Sequence, residues 1–215
     1  MKYMLYSFWR SSCSWRVRIA LNFKGLSHEQ IPVRLARSDG DQLAPNYLAR
    51  NSMGQVPLLE WEDDGEVRQI AQSMAILEYL EEVCPDPPLL PKDPYLRARC
   101  RQLSEIVNSG IQPLQNMSLT AQVEDLGGSG AEWRELVIRR GLAALERSAE
   151  VTAGRYLVGN EVTMADVMAI PQLYNARRYD VRVEDFPTIS AAEAACTKLG
   201  PFVAARPEAQ PDYPG

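Results

Sequence analysis

This sequence has very little histidine and no closely spaced cysteine pair. His28 is the only histidine in 215 residues, and the four cysteines, Cys13, Cys84, Cys100 and Cys196, include no CxxC pair. Neither residue type shows the spacing of metal ligands, and unpaired cysteines are typical of a reducing compartment. No apolar run approaches membrane length, and the first residues lack the apolar core of a secretion signal. We therefore expect no metal, no membrane span and a cytoplasmic location.

An excess of positive charge is also missing. The formal net charge is −5 and the sequence pI is about 5.1, so neither nucleic acid nor an anionic membrane is the expected partner. Basic residues cluster only locally, within residues 10–18 and again within residues 177–182. The chain is 46% hydrophobic and long enough for one large or two small domains with a substantial core.

Serines crowd one predicted helix N-terminus. A short apolar strand, residues 3–6, leads through a turn into residues 11–24, where apolar residues recur at helical spacing before Gly25. Ser11, Ser12, Cys13 and Ser14 fall at the start of this helix, where free amides and the macrodipole favour an anion. Two interpretations stay open on spacing alone: an ordinary serine N-cap beside a buried cysteine, or a site that stabilises a thiolate near neutral pH.

The remaining N-terminal half alternates strands and helices. After the first helix, the pattern predicts a strand at 29–35, a loop at 37–46, a helical turn at 47–50, strands at 55–61 and 67–70 around a hairpin turn, and a helix at 74–83. Ser73 is the expected N-cap of that last helix. The βαβ-ββα order matches a thioredoxin-like domain over residues 1–84, with serines in place of the redox CxxC.

Five prolines in residues 85–94 mark a semi-rigid linker. Beyond it, residues 95–215 show helical periods, so we expect an α/β domain followed by an all-helical bundle. Residues 95–123 are predicted to form one helix kinked at Pro113, and a glycine-rich loop follows at 127–130. Thr163 and Asp166 form a predicted capping box, assigned to folding rather than catalysis. The proline-rich end of the chain predicts no regular structure.

Several motifs together resemble the zeta-class glutathione transferases. They include the run Ser-Ser-Cys-Ser-Trp-Arg-Val-Arg-Ile-Ala-Leu at 11–21, Gln-Val-Pro at 55–57, Gln-Ser at 72–73, residues 110–116 and 159–166, and a closing Gln-Pro-Asp. The resemblance covers essentially the whole chain. The sequence departs from the family at Ser52, where proline is usual, in a longer hairpin at 60–68 and in the composition of the 127–130 loop.

The resemblance implies the glutathione transferase architecture, glutathione as the cofactor and a homodimer. It implies a cis bond before Pro57 and a glutathione site formed by Ser11, Ser12, Cys13, Gln42, Val56, Pro57, Gln72, Ser73, Gln112 and Asn116. Ser11 is expected to face the glutathione sulfur, with Ser12 and Cys13 in support. Arg178 is expected to hold one carboxylate of a dicarboxylate substrate and Arg10 the other.

The implied reaction is the glutathione-dependent cis–trans isomerisation of maleylacetoacetate to fumarylacetoacetate in aromatic amino acid catabolism, by thiolate addition, bond rotation and elimination. Three alternatives stay open: maleylpyruvate isomerisation, conjugation of glutathione to haloacids and other electrophiles, and a non-catalytic binding module. On the residues alone, Arg177 and Arg178 also fit a helix C-terminus, where cations are favoured. Cys13 is also a candidate for mixed disulfides with glutathione.

Overall fold

The computed structural model describes residues 2–215, and these divide into two compact units. The first unit runs to Pro87 and includes Gly200–Gly215, while the second is Pro88–Leu199. The division falls inside the predicted linker. The predicted helical domain extended to residue 215, but the last residues pack on the first unit, where Arg18 and Gln30 bind the tail.

The helices and strands follow the predicted α/β-then-α order. In chain order they are β1 (Tyr3–Ser7), α1 (Ser12–Phe23), β2 (His28–Pro32), α2 (Pro45–Leu48), β3 (Leu58–Asp63), β4 (Glu66–Ala71), α3 (Ser73–Val83), α4 (Pro94–Asn108), α5 (Met117–Asp125), α6 (Gly130–Ala149), α7 (Met164–Arg178), α8 (Pro187–Cys196) and α9 (Gly200–Ala204). Short 3-10 turns lie at Asp41–Leu43, Val183–Asp185 and Pro207–Ala209.

The strands of the first unit form one sheet in the order β2-β1-β3-β4. β1 is parallel to β2 and antiparallel to β3, and β3 and β4 form a hairpin. This confirms the thioredoxin-like βαβ-ββα order. The hairpin turns at Asp64 and Gly65, which both have positive φ, as an Asp-Gly type I′ turn requires. β2 ends at Pro32, earlier than predicted, although the next amide, that of Val33, still donates to the Ser7 carbonyl of β1 at 2.8 Å.

α1 lies deep in the first unit. Its interior residues from Trp15 to Leu21 are all buried, including the two arginines Arg16 and Arg18. Just after the helix ends, the buried Lys24 ammonium donates to Glu81 of α3 at 2.8 Å and to the Cys84 carbonyl at 2.6 Å. These contacts fix α1 against α3, whose N-termini both belong to the predicted site.

The second unit is built from α4 to α8. The predicted kinked helix over 95–123 is wrong, because turns at residues 109–116 separate α4 from α5. Gly110 and Pro113 lie in this interval, and proline has no amide with which to continue a helix. α7 is buried almost throughout, and its predicted capping box is confirmed, with Asp166 accepting from the Thr163 amide at 2.8 Å.

No helix within residues 2–215 combines the length and apolar character needed to cross a bilayer. The four cysteines are free thiols.

Candidate active site

Ser11 caps the N-terminus of α1. Its Oγ accepts a hydrogen bond from the Ser14 amide at 3.2 Å, and its own amide donates to the Phe8 carbonyl at 2.9 Å. A serine hydroxyl that accepts in this way still has its hydrogen to donate. No acidic residue lies in the first turn of α1, so the positive end of the helix keeps its charge for a ligand. The predicted serine N-cap is confirmed, whereas Cys13 is half-buried and not buried as that interpretation expected. The cap leaves the thiolate interpretation open.

The other residues of the serine turn (residues 11–14) differ in exposure. Ser12 is 6% exposed, Ser14 is fully buried and Cys13 is half-buried. Within residues 2–215, the Ser14 hydroxyl has no hydrogen-bond partner. The turn therefore presents the Ser11 hydroxyl and the Cys13 thiol beside the free amides of one helix end, while the Ser12 and Ser14 hydroxyls are buried.

The start of α3 lies against this turn, although not as predicted. Ser73 is the first residue of the helix rather than its N-cap, and Gln72 occupies the cap position. The physical reason is that the Ser73 hydroxyl accepts a hydrogen bond from the buried Arg16 guanidinium at 3.1 Å. Gln72 is exposed and has φ 73°, which is an uncommon and costly conformation for a residue with a side chain.

Val56 and Pro57 are both buried, and the peptide bond between them is cis, as the resemblance implies. The preceding carbonyl of Gln55 accepts from the Tyr47 hydroxyl and the Asn51 amide group, each at 2.6 Å. These bonds fix the segment while the Val56 amide and carbonyl form no hydrogen bond within residues 2–215. An unpaired backbone two residues before the start of β3 is a place where an extended peptide can add.

Gln42 lies in the Asp41–Leu43 turn and is 8% exposed. Its carboxamide oxygen accepts from the Ala36 amide at 3.3 Å, and its nitrogen donates to the Ala36 carbonyl. The oxygen and the nitrogen of the Gln42 carboxamide therefore both bind the backbone of Ala36. One amide hydrogen remains for a ligand, because a carboxamide nitrogen has two.

Arg178 is the last residue of α7 and is exposed. Within residues 2–215 it forms no ion pair, whereas its neighbour Arg177 is held by Glu193 through two bonds of 2.6 Å. The guanidinium groups of Arg178 and Arg134 lie 5.3 Å and 5.1 Å from the centre of the Tyr179 ring. Of the two arginines that end α7, Arg178 is therefore the one whose guanidinium is available to a carboxylate.

Gln112 and Asn116 lie in the turns between α4 and α5. The Gln112 amide donates to the Val107 carbonyl at 3.0 Å, and Asn116 occupies the N-cap position of α5 without a capping bond from its side chain. Arg10 lies between β1 and α1, with its guanidinium 5.3 Å from the centre of the Trp9 ring. The first unit therefore contains the predicted residues up to Ser73, and the second contains Gln112, Asn116 and Arg178.

Sequence reasoning missed several residues that position the site. Arg16 holds Ser73, Asn51 and Tyr47 hold the segment before Val56, and Arg18 binds the carbonyls of residues 8 and 9. Burial lowers the pKa of Arg18 to about 9. The available signal was two arginines in a helical segment whose other residues are apolar.

Residues 10–83 match the model of the glutathione S-transferase N-terminal domain. The chain is 46% identical to the maleylacetoacetate isomerase of Mus musculus over 213 residues, which cover 99% of this chain and 96% of the mouse protein. A crystal structure of maleylacetoacetate isomerase from Anaeromyxobacter dehalogenans 2CP-1, with glutathione bound in its active site, is 48% identical with a TM-score of 0.91, covering 99% of this chain and 98% of that one.

A second solved structure, a bacterial zeta-class maleylpyruvate isomerase in its holo form, is 38% identical with a TM-score of 0.89 and covers 99% of each chain. These similarities extend over both units and agree with the motifs that carried the resemblance. The chain belongs to the zeta-class glutathione transferases, the family that includes maleylacetoacetate isomerase.

Proposed function

We propose that this protein isomerises maleylacetoacetate to fumarylacetoacetate with glutathione as its cofactor. The observation that carries the proposal is the N-terminus of α1, where Ser11 caps the helix and keeps a hydroxyl hydrogen to donate. The names of the full-length relatives support the choice of substrate.

The residues of the first unit fit glutathione. The unpaired Val56 backbone beside Pro57 suits the extended backbone of a tripeptide. The N-terminus of α3, with Gln72 and Ser73, suits a carboxylate, because its first amides have no partner within the helix. The strained backbone of Gln72 is a further sign of a residue held in place for binding.

The serine turn receives the sulfur in this proposal, with Ser11 donating and Ser12 and Cys13 in support. Gln42, Gln112 and Asn116 complete the proposed contacts, Gln42 through its remaining amide hydrogen. The chemistry that glutathione supplies when bound is a thiol that adds reversibly to a conjugated double bond, so that the bond can rotate. The protein's part is to lower the pKa of that thiol and to hold the substrate.

Substrate binding is assigned to cations. Arg178, which is exposed and without an ion pair in the described chain, is the proposed partner of one substrate carboxylate, and Arg10 is that of the other. The same groups serve negative charge that develops on the substrate's carbonyl oxygen. Arg177 is excluded from this role because Glu193 already occupies its guanidinium.

Maleylpyruvate isomerisation is the second candidate, favoured by the similarity to the zeta-class maleylpyruvate isomerase. It requires the same thiol and the same carboxylate contacts on a related cis-dicarboxylate. The test is to supply each substrate with a small amount of glutathione and compare kcat/KM. The higher kcat/KM identifies the substrate, and conjugation of chlorinated acids without isomerisation would replace both proposals with a detoxifying transferase.

We also propose a homodimer in the cytoplasm. Exposed apolar side chains such as Met53 and Val67, each 63% exposed, are surfaces that a second copy of the chain can cover. The free thiols support a reducing compartment. Sedimentation velocity at micromolar concentration tests the assembly: a single species of about 24 kDa would contradict the dimer.

A further inference from the structure

The end of the chain is fastened to the loop that enters the serine turn. We call residues 205–213 the C-terminal clasp and residues 8–10 the entry loop. The Asp212 carboxylate accepts a hydrogen bond from the Trp9 amide at 2.9 Å. The Tyr213 ring meets the Trp9 ring edge-on, with centres 5.0 Å apart at 80°. Backbone and side chain of one entry-loop residue are thus both held by the clasp.

The Arg18 side chain of α1 binds both the clasp and the entry loop. Its fully buried guanidinium donates to the Ala205 carbonyl at 3.1 Å and to the Trp9 carbonyl at 2.9 Å, and also to the Phe8 carbonyl and the Ser7 hydroxyl. The Asp212 carboxylate acts on this guanidinium as well and stabilises its positive charge. The entry-loop backbone therefore lies between one buried cation and one carboxylate.

The clasp itself is anchored to the sheet. Gln210 is 5% exposed, donates to the Ala204 carbonyl at 3.0 Å and accepts from the Gln30 carboxamide of β2 at 2.7 Å. The Tyr213 amide in turn donates to the Gln210 carbonyl at 3.1 Å. The tail thus has fixed hydrogen-bond partners although it forms little regular structure, and Asp212 is held at a defined position.

The entry loop passes directly into the cap of α1. The Phe8 carbonyl that accepts from Arg18 also accepts from the Ser11 amide at 2.9 Å. A shift of the entry loop therefore moves Ser11. Catalysis is sensitive to such shifts, since misplacement by about 1 Å can cost on the order of a hundredfold in rate.

We propose that the C-terminal clasp is a positioning device for the serine turn and that Asp212 is its key positioning residue. The inference rests on the proposed function, because it assigns Asp212 a part in activating the glutathione thiol. Asp212 acts through Trp9 and Ser11 and touches no substrate.

The test uses the full chain and its variants Asp212→Ala, Asp212→Asn and, as a matched control in the same tail, Pro214→Ala. Glutathione is the probe, and the ultraviolet absorbance of its thiolate is followed against pH, together with kcat and KM for isomerisation. Asp212→Ala should move the thiolate titration to higher pH and lower kcat on the order of tenfold, with KM for the dicarboxylate unchanged. Asp212→Asn keeps an acceptor oxygen for the Trp9 amide and should recover part of the loss.

Each outcome decides a different question. A thiolate titration in Asp212→Ala that matches the unmodified chain would overturn the inference alone, and so would an equal loss in Pro214→Ala. If the unmodified chain binds no glutathione and shows no thiolate band, the proposed function fails and the inference fails with it. Because the titration needs no substrate, the inference stands or falls separately from the identity of the dicarboxylate.

Discussion

Replacing Ser11 with alanine should lower the acid ionisation constant of the bound glutathione thiol by about tenfold to a hundredfold. The Ser11 oxygen accepts from the Ser14 amide at 3.2 Å, so its hydrogen is the one that donates to a thiolate. A hydrogen bond to a charged group contributes roughly 1.5–3 kcal/mol, and each 1.36 kcal/mol changes an ionisation constant about tenfold. The helix end adds a further 0.3–1 kcal/mol or so, which the substitution leaves in place.

The variant also loses a helix cap, which costs about 1 kcal/mol of folding free energy. Ser129→Ala is the matched control for that loss. Ser129 caps α6 through a hydrogen bond from the Glu132 amide to its Oγ, also at 3.2 Å, but it lies in the second unit and outside the proposed site. Urea unfolding should therefore show similar destabilisation in the two variants.

The deciding assay is the thiolate absorbance of glutathione against pH, with affinity measured separately by calorimetry. The thiol of glutathione bound to Ser11→Ala should titrate at higher pH than that of glutathione bound to the unmodified chain. With Ser129→Ala, the thiol should titrate at the same pH as with the unmodified chain. An unchanged titration in Ser11→Ala while glutathione still binds would refute the assignment of Ser11. An equal upward movement in Ser129→Ala would show that stability, rather than the hydroxyl, sets the thiol pKa.

Three further predictions test other parts of the account. Gln72→Gly should gain about 1 kcal/mol of stability, because glycine relieves the strain of φ 73°, but it should weaken glutathione binding measured by calorimetry. The control Asp64→Gly, at φ 49° in the hairpin, should leave glutathione affinity unchanged. Equal affinities in the two variants and the unmodified chain would contradict the assignment of Gln72. Arg178→Met should raise KM for the dicarboxylate by about tenfold to a hundredfold. Arg177→Met removes a guanidinium already held in an ion pair and should leave this KM unchanged. A larger increase in Arg177→Met than in Arg178→Met would exclude Arg178 as the carboxylate partner. Burial raises the pKa of Asp166 to about 6, above its usual value near 3.9. At a pH between these two values, the folded chain keeps a proton on Asp166 that the unfolded chain has released. The stability of the unmodified chain relative to Asp166→Asn should then fall by about 3 kcal/mol as pH rises from about 4 to 7, and a difference that stays constant with pH would be wrong for this account.

Local signals account for the parts of the fold that the sequence predicted well. The N-cap at Ser11, the Asp-Gly turn of the hairpin and the capping box at Asp166 each depend on residues within a few positions of one another. The alternation of strands and helices likewise follows from hydrophobic period alone. These signals specified the thioredoxin-like order and placed the serines at a helix end.

Contacts between distant residues explain where prediction failed. Ser73 has the residue type of an N-cap, but Arg16, 57 positions earlier, binds its hydroxyl, and the cap position passes to Gln72. The tail is irregular, as its prolines predicted, but it was assigned to the helical domain, whereas the Arg18 and Asp212 bonds hold it on the first unit. No local pattern records such pairings, because each partner has an ordinary local role of its own.

The site was predicted in two different ways. The chemistry of the serine turn followed from residue types at a helix N-terminus, whereas Val56, Gln72 and Arg178 were named through the family resemblance. Three features of the structure support these proposed roles: an unpaired backbone at Val56, a strained φ at Gln72 and an Arg178 guanidinium without an ion pair in the described chain.

The most direct test of the central claim is to add maleylacetoacetate in large excess over both protein and glutathione and to follow both compounds. We predict complete conversion to fumarylacetoacetate with all the glutathione recovered, and a kcat at neutral pH that Ser11→Ala lowers. No conversion, or consumption of one glutathione for each substrate molecule, would contradict it.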